Sequence, residues 1–249
     1  MVLKNYILIK KNKISYILKK KTKNGLKKSI VFLCGYRSDK NGKKADFIEK
    51  LRKDYGFEYL RFDYSGHGES SGDINNLYLS DWVNESKVLI ETKTNYPVVL
   101  IGSSMGGWIA FYLSLIIKKK LLGIVGIASA FDFTSRTLKN LSTIEYKKYK
   151  YKKEIKLSSN YSKSPYIFTN KFINNAKKFL LLNKKIKIKK KAILLYGLKD
   201  TSVDLESQLK FLNKLTHSET SLIISKNSDH RMSSKYDLEI LKNAILAIL

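Results

Sequence analysis

Apolar positions along this chain follow two periods, and the two alternate in a regular order. Two short runs with β character, Tyr6–Lys11 and Ile14–Lys19, flank Asn12-Lys13. They predict a hairpin at a sheet edge, where lysines discourage further pairing. Apolar runs of strand length follow at Ser29–Leu33, Glu58–Phe62, Val98–Ile101, Leu122–Ala128, Ala192–Tyr196 and Ser221–Ser225. Helical spacing lies between them. It covers Lys43–Asp54, with Ala45, Phe47, Ile48 and Leu51 apolar, and a segment capped by Ser80 or Asp81 and running to about Thr94. It returns after residue 104, over Asp204–Leu215, and from about Ser234 to Ile248. Strands alternating with helices predict an α/β fold: a mostly parallel eight-stranded sheet with helices on both faces. From Phe131 to Lys191 the period breaks down, with one helix expected over Thr169–Leu182. No internal repeat or independent linker is visible, so residues 1–249 read as one domain with a cap insertion at about 131–191.

Composition narrows the class. A chain of 249 residues with 43% apolar content can build a real core. No apolar run approaches the ~18 residues of a membrane span, and no secretory signal is visible at the start. The lone Cys34 excludes an internal disulfide and a Cys-rich metal site. His67, His217 and His230 lack metal-ligand spacing, so no metal is expected. No cofactor is expected either. These features point to a reducing, cytoplasmic location.

The formal net charge of +27 suggests nucleic acid at first sight. Only five of the 48 basic residues are arginine, however, and no nucleic-acid motif is present. Nucleic acid is therefore not an expected partner. The charge is also uneven. Residues 136–191 hold 18 Lys and Arg against 2 Asp and Glu, net +16. Such an insert can attract anionic substrates or a membrane surface, although more often a basic run is only a solvated face.

The candidate chemistry begins at Gly102-Ser103-Ser104-Met105-Gly106, between an apolar strand and an apolar helix. This is G-x-S-x-G in its meaningful context, a nucleophile elbow, and it selects Ser104. Glycines flank the serine because a Cβ would collide with the tightly folded backbone. The Met105 N–H, at the helix start, has no intrahelical acceptor and can bind a developing oxyanion. A serine needs a base, and the base needs an orienting carboxylate. In α/β-hydrolases these follow in the order Ser, acid, His. His230, in the loop after Ser221–Ser225, is the favoured base over His217, and His67 precedes the serine. Asp200, after Ala192–Tyr196, is the favoured acid. Asp204 is its rival but reads as a helix cap, and Asp229 adjoins His230 too closely to reach its ring. The second oxyanion donor is expected at the N–H of Tyr36, with Cys34 a buried spacer rather than a nucleophile.

Several strings carry a closer likeness: Gly35-Tyr36-Arg37-Ser38, Gly42-x-Lys44-Ala45, Arg61-Phe62-Asp63-Tyr64-Ser65-Gly66, Gly102-Ser103-Ser104-Met105-Gly106-Gly107-Trp108 and Ser228-Asp229-His230-Arg231-Met232. In these, from about residue 29 onward, the chain resembles α/β-hydrolases related to the mitochondrial palmitoyl-protein thioesterase that also hydrolyses mycophenolic acid acyl-glucuronide. The resemblance implies Ser104, Asp200 and His230 as a triad, a small cap, and small acyl esters or S-acylated groups as substrates. With so short a segment before the first strand, a bacterial, cytoplasmic member is expected. Two other readings stand beside the esterase or thioesterase: a serine peptidase of the same fold, and a non-catalytic scaffold that binds through the basic insert.

Overall fold

The computed structural model describes residues 5–157, 165–216 and 219–249; the histidine at 217 lies outside them. The strands of the main sheet are β1 (Asn5–Ile9), β2 (Asn12–Lys19), β3 (Ser29–Leu33), β4 (Glu58–Phe62), β5 (Val98–Ser103), β6 (Leu121–Ile127), β9 (Ala192–Gly197) and β10 (Thr220–Ser225). Their order is β1-β2-β4-β3-β5-β6-β9-β10, with β1–β2 and β2–β4 antiparallel and every other pair parallel. Around the sheet lie α1 (Lys43–Tyr55), α2 (Leu79–Lys93), α3 (Met105–Ser114), α7 (Leu205–Leu212) and α8 (Lys235–Leu246). The eight-stranded, mostly parallel sheet expected from the alternation of periods is therefore present.

Burial explains why the central runs carry no alternation. Every residue of β3 and β4 is buried, because parallel strands are covered on both faces. Their polar members are paired. Glu58 accepts the Ser29 hydroxyl at 2.7 Å and the Asn95 backbone N–H at 2.8 Å. Arg61 forks to Asp46 at 2.8 Å and to Glu49 at 2.6 Å.

Three local expectations are corrected. The hairpin turns at Lys10-Lys11, not at Asn12-Lys13, and Ile9 pairs with Asn12. This register sets Ile7 across from Ile14 and lets Ile9 and Ile14 be buried together. Lys10 takes the left-handed conformation that closes the turn, at φ 52°. Second, α2 starts after Tyr78, and the Asp81 carboxylate reaches back to the Tyr78 N–H at 3.1 Å; Ser80 lies inside the helix. Third, the helix expected over Thr169–Leu182 is much shorter.

The region between β6 and β9 holds α4 (Phe133–Lys139), α5 (Thr143–Lys152), an antiparallel pair β7 (Glu154–Leu157) and β8 (Tyr166–Thr169), and α6 (Asn170–Ala176). A 3-10 turn, Lys177–Phe179, ends it. The chain leaves the helix because the N–H groups of Leu181 and Leu182 are bound by the Asp132 carboxylate, each at 2.9 Å. Two tryptophans tie this region and the loops to the sheet. Trp108 of α3 donates to the Phe179 carbonyl at 2.9 Å, and Trp82 of α2 donates to the Ser65 carbonyl at 3.1 Å.

Under that second contact lies a buried carboxyl, Glu85, which accepts the Ser65 N–H at 2.9 Å. Burial disfavours its charge and pushes its pKa up to about 7, the hydrogen bonds from Ser65 opposing this only in part. Protonated Glu85 thus suits the fold, and stability present at low pH is lost as pH rises from the ordinary carboxylate range through 7. Glu85→Gln keeps the shape and removes the titration. The variant should gain about 3 kcal/mol relative to the parent between pH 4.5 and 7.5, measured by urea unfolding. An unchanged difference across that range would contradict the assignment.

Candidate active site

Ser104 joins β5 to α3 at φ 55° and ψ −119°, a backbone conformation that side chains other than glycine rarely adopt. Four hydrogen bonds hold it there. Its N–H donates to Ile127 O at 2.9 Å, and its carbonyl accepts from Gly107 at 2.9 Å, Ala130 at 3.0 Å and Trp108 at 3.4 Å. The flanking glycines are required by contact. A Cβ at Gly102 would lie 2.2 Å from the Gly106 carbonyl oxygen, and one at Gly106 would lie 2.1 Å from the Leu33 carbonyl oxygen at the end of β3. The turn lifts the half-buried Ser104 side chain above the carboxyl edge of the sheet.

The carboxyl ends of β9 and β10 meet the serine from the other side. His230 Nε2 lies 3.1 Å from Ser104 Oγ, and His230 Nδ1 lies 2.7 Å from Asp200 Oδ2. The carboxylate at Nδ1 selects the tautomer with its proton there, leaving Nε2 free to accept from the serine hydroxyl. The Asp200 side chain is fully buried, and its second oxygen accepts the N–H groups of Ser202 at 2.7 Å and Val203 at 2.9 Å. These bonds turn one carboxylate edge toward the imidazole. The loop bearing His230 is fastened to β9 through Lys199 N–H to the Ser228 carbonyl, 2.9 Å, and to α8 through the Ser228 hydroxyl on Asp237. Lys44 adds a contact from α1, donating to the Arg231 carbonyl and, at 3.2 Å, to Ser233 Oγ. Desolvation holds its ammonium down at about 8.

The turn after β3 approaches Ser104 from a third direction: a Cβ at Gly35 would lie 3.4 Å from Ser104 Cβ. Tyr36 therefore stands beside the serine in space, and Met105 opens α3 directly after it. The Tyr36 ring reaches away into an aromatic group. It lies 5.2 Å from Phe168, 5.3 Å from Tyr166, 5.8 Å from Trp82 and 5.9 Å from His67, centroid to centroid. Arg37 crosses the same gap, donating to the Pro165 carbonyl at 3.3 Å.

The remaining sequence candidates have other roles in the geometry. Cys34 is buried, and burial above all raises its thiol well above the ordinary range, so it is no thiolate. His67 packs edge-on against Tyr64 and Trp82; burial lowers its pKa and keeps it neutral. Asp204 caps α7 through the Ser207 N–H at 2.6 Å and pairs with Arg136. Asp229 caps its own loop on the N–H groups of Arg231 and Met232. Among the described residues no group of three His, Cys, Asp or Glu side chains could hold a metal ion.

A buried ion cluster escaped sequence reasoning. Asp63 accepts the Lys40 backbone N–H at 2.5 Å, the Lys40 ammonium at 2.7 Å and the Glu69 N–H at 2.9 Å. Glu69 also accepts the ammonium at 2.7 Å. Burial pulls the Lys40 ammonium down, but the two carboxylates outweigh it and hold its pKa above the ordinary value. The cluster ties the loop that carries Tyr36 to the loop after β4. Its only sequence signal was an acid at a strand end among glycines, and Lys40 could not be told from 47 other bases.

A serine at a strained turn after one parallel strand, facing an imidazole and a carboxylate set by two later strands, is the organisation of an α/β-hydrolase. The comparisons agree. A family profile described as serine aminopeptidase, S33, matches residues 25–235, and the chain belongs to this α/β-hydrolase family. It is 33% identical over 219 residues to the human mitochondrial palmitoyl-protein thioesterase ABHD10, covering 87% of this chain and 71% of that one. Mouse alpha/beta hydrolase domain-containing protein 10 superposes with a TM-score of 0.91 at 28% identity, covering 98% of this chain and 97% of that chain. A putative hydrolase from Agrobacterium vitis S4 gives a TM-score of 0.91 at 29% identity, covering 100% and 99%.

The buried cluster yields a stability test. Asp63→Ala strands the Lys40 ammonium, whose side chain is 2% exposed, beside Glu69 alone. The substitution should cost about 3–5 kcal/mol in urea unfolding. A loss below about 1 kcal/mol, the size of a surface ion pair, would show that the cluster fastens nothing.

Proposed function

We propose that this chain cleaves acyl esters and thioesters through an acyl-enzyme on Ser104, with His230 as the base and Asp200 as its orienting acid. The enzyme class itself, a hydrolase of ester or thioester bonds, follows from its relatives. One observation carries the residue assignment: the His230 ring bridges Ser104 and Asp200 with both nitrogens at hydrogen-bond distance.

In this reading Ser104 Oγ attacks the acyl carbonyl carbon while His230 Nε2 takes its proton. Charge gathers on the carbonyl oxygen, where the N–H groups of Tyr36 and Met105 receive it, each contributing about 3–4 kcal/mol. Collapse of the tetrahedral adduct breaks the bond to the thiol or alcohol, which leaves with the proton from His230. Water then gives a proton to His230 and attacks the acyl-enzyme; the bond to Ser104 Oγ breaks, the serine oxygen takes the proton back from His230, and the acid leaves. Asp200 stabilises the imidazolium in both half-reactions. The cap insertion at about 131–191 supplies one wall of the acyl site. Phe133, Phe168 and Phe172 pack with one another and, through the latter two, with Tyr36, an apolar surface suited to a hydrocarbon chain. The name of the ABHD10 relatives, palmitoyl-protein thioesterase, supports S-acylated cysteine as one substrate class.

The family description, serine aminopeptidase, favours a second reading in which the same serine cleaves a peptide amide. A panel of acyl thioesters, oxyesters and aminoacyl anilides separates the two. Turnover of thioesters or oxyesters supports the first reading; turnover of anilides alone establishes the second. On the accepted substrate Asp200→Asn should lower kcat by about 10⁴-fold, and Ser104→Ala by at least about as much, with KM little changed. Parental turnover by Ser104→Ala would overturn the assignment.

A further inference from the structure

The loop of the orienting acid is held from the cap as well as from within. The peptide group between Ser202 and Val203 is planar, so its two ends move together. Its N–H end, on Val203, donates to Asp200 Oδ1 at 2.9 Å. Its carbonyl end, on Ser202, accepts from Arg136 Nη2 at 2.9 Å. The Ser202 N–H adds a second bond to Asp200 Oδ1 at 2.7 Å, and Asp200 Oδ2 meets His230 Nδ1 at 2.7 Å. Arg136 Nη1 donates to the Asp204 carboxylate, whose other oxygen caps α7 through the Ser207 N–H.

One peptide group therefore separates a guanidinium from the carboxylate that orients the imidazole. The cation draws electron density toward the carbonyl oxygen and makes the N–H at the other end a stronger donor. Arg136 is the one arginine among the 18 basic residues at 136–191. A lysine ammonium is a point charge, whereas the fork of an arginine serves two acceptors in fixed directions. Beside it lies a concavity of about 420 Å³, lined from α4 by Thr137 and Asn140 and from the loop by Thr201 and Val203. Apolar packing does not join the two elements there, and the guanidinium spans them. One turn before Arg136, α4 carries Phe133, whose ring lies 5.6 Å from Trp108 and 5.2 Å from Phe168. The same short helix thus touches the aromatic surface at one end and the Asp200 loop at the other.

We infer that Arg136 is a positioning residue through which the cap braces the orienting acid. It fixes the Ser202–Val203 peptide, the peptide fixes Asp200 Oδ1, and Oδ2 is left facing His230. This role rests on the triad of Ser104, Asp200 and His230 and adds to it a support from the cap.

The test compares Arg136→Ala, Asp204→Asn and Lys242→Ala with the parent on an accepted acyl substrate. Lys242→Ala breaks an exposed ion pair on α8 and should leave turnover unchanged. Arg136→Ala should lower kcat by about 10- to 100-fold with KM within about twofold of the parent's. Asp204→Asn keeps a side-chain oxygen to cap α7 and leaves the Ser202 contact in place, so it should lose less than about threefold. Nitrogen NMR of histidine-labelled protein, read without substrate, should find the proton of neutral His230 on Nδ1 in the parent and shared between the two nitrogens in Arg136→Ala. Melting curves report that each variant is folded; the Arg136 side chain is 26% exposed, and its removal opens no core cavity. A kcat within about twofold of the parent's in Arg136→Ala would overturn the brace. So would an unchanged tautomer in that variant, or no Nδ1 preference in the parent. Equal losses in Arg136→Ala and Asp204→Asn would reduce Arg136 to an ion pair, and a raised KM at parental kcat would make it a substrate ligand; either result overturns the brace. A parent that hydrolyses no ester, thioester or anilide defeats the hydrolase reading instead, and the tautomer, which needs no substrate, then decides the brace.

Discussion

The backbone at Ser104 is the constraint on which the rest of the site is built. A residue with φ 55° and ψ −119° is costly, and it persists only because its surroundings over-determine it. Here the surroundings are β6, through the Ile127 carbonyl, the Ala130 N–H beyond it, and the first turn of α3. The absence of side chains at Gly102 and Gly106 then lets α3 press against the end of β3. Three neighbouring parallel strands thereby fix one hydroxyl. The strain is offset by the cohesion of the most deeply buried part of the sheet, so the serine is positioned by the core rather than by a loop.

The other groups are brought to that hydroxyl by pairs of fastened loops. The Tyr36 loop is held by the Lys40–Asp63–Glu69 cluster, in which the buried charges leave no polar atom of Asp63 without a donor. The His230 loop is held by Ser228 on Asp237 and by β9, while Asp200 is held by two backbone N–H groups of its own loop. Each fastening is short-range, yet each lies at the carboxyl end of a strand whose register the sheet already fixes. Order in the loops is inherited from order in the sheet. Glu85 shows the opposite balance: its charge is disfavoured by burial, and it serves by holding the Ser65 N–H beneath the aromatic group.

Much of this was legible in the sequence, for identifiable reasons. Parallel strands buried on both faces appear as apolar runs, and Ser29–Leu33 and Glu58–Phe62 have the bounds read from the chain alone. Ser104, Asp200 and His230 each follow such a run, so strand ends located them, and the structure brings all three together. What was not legible depended on contacts distant in sequence. The hairpin turn was displaced by two residues because the pairing of Ile7 with Ile14, not the local turn residues, sets its register. The helix after Thr169 stops early because Asp132, some fifty residues before Leu181, takes the N–H groups that would continue it. Lys40 could not be singled out in a chain with 48 basic residues, since only burial distinguishes it.

The central claim is that this one serine, activated by its neighbours in the folded state, forms the covalent intermediate. Mass spectrometry after treatment with a fluorophosphonate tests it most directly, because the reagent modifies an activated serine and leaves ordinary hydroxyls alone. The account predicts one adduct per folded chain, mapped to the peptide at Ser104, and its loss both in urea and in His230→Ala. An adduct on another residue, or an unlabelled serine in folded protein, would contradict it.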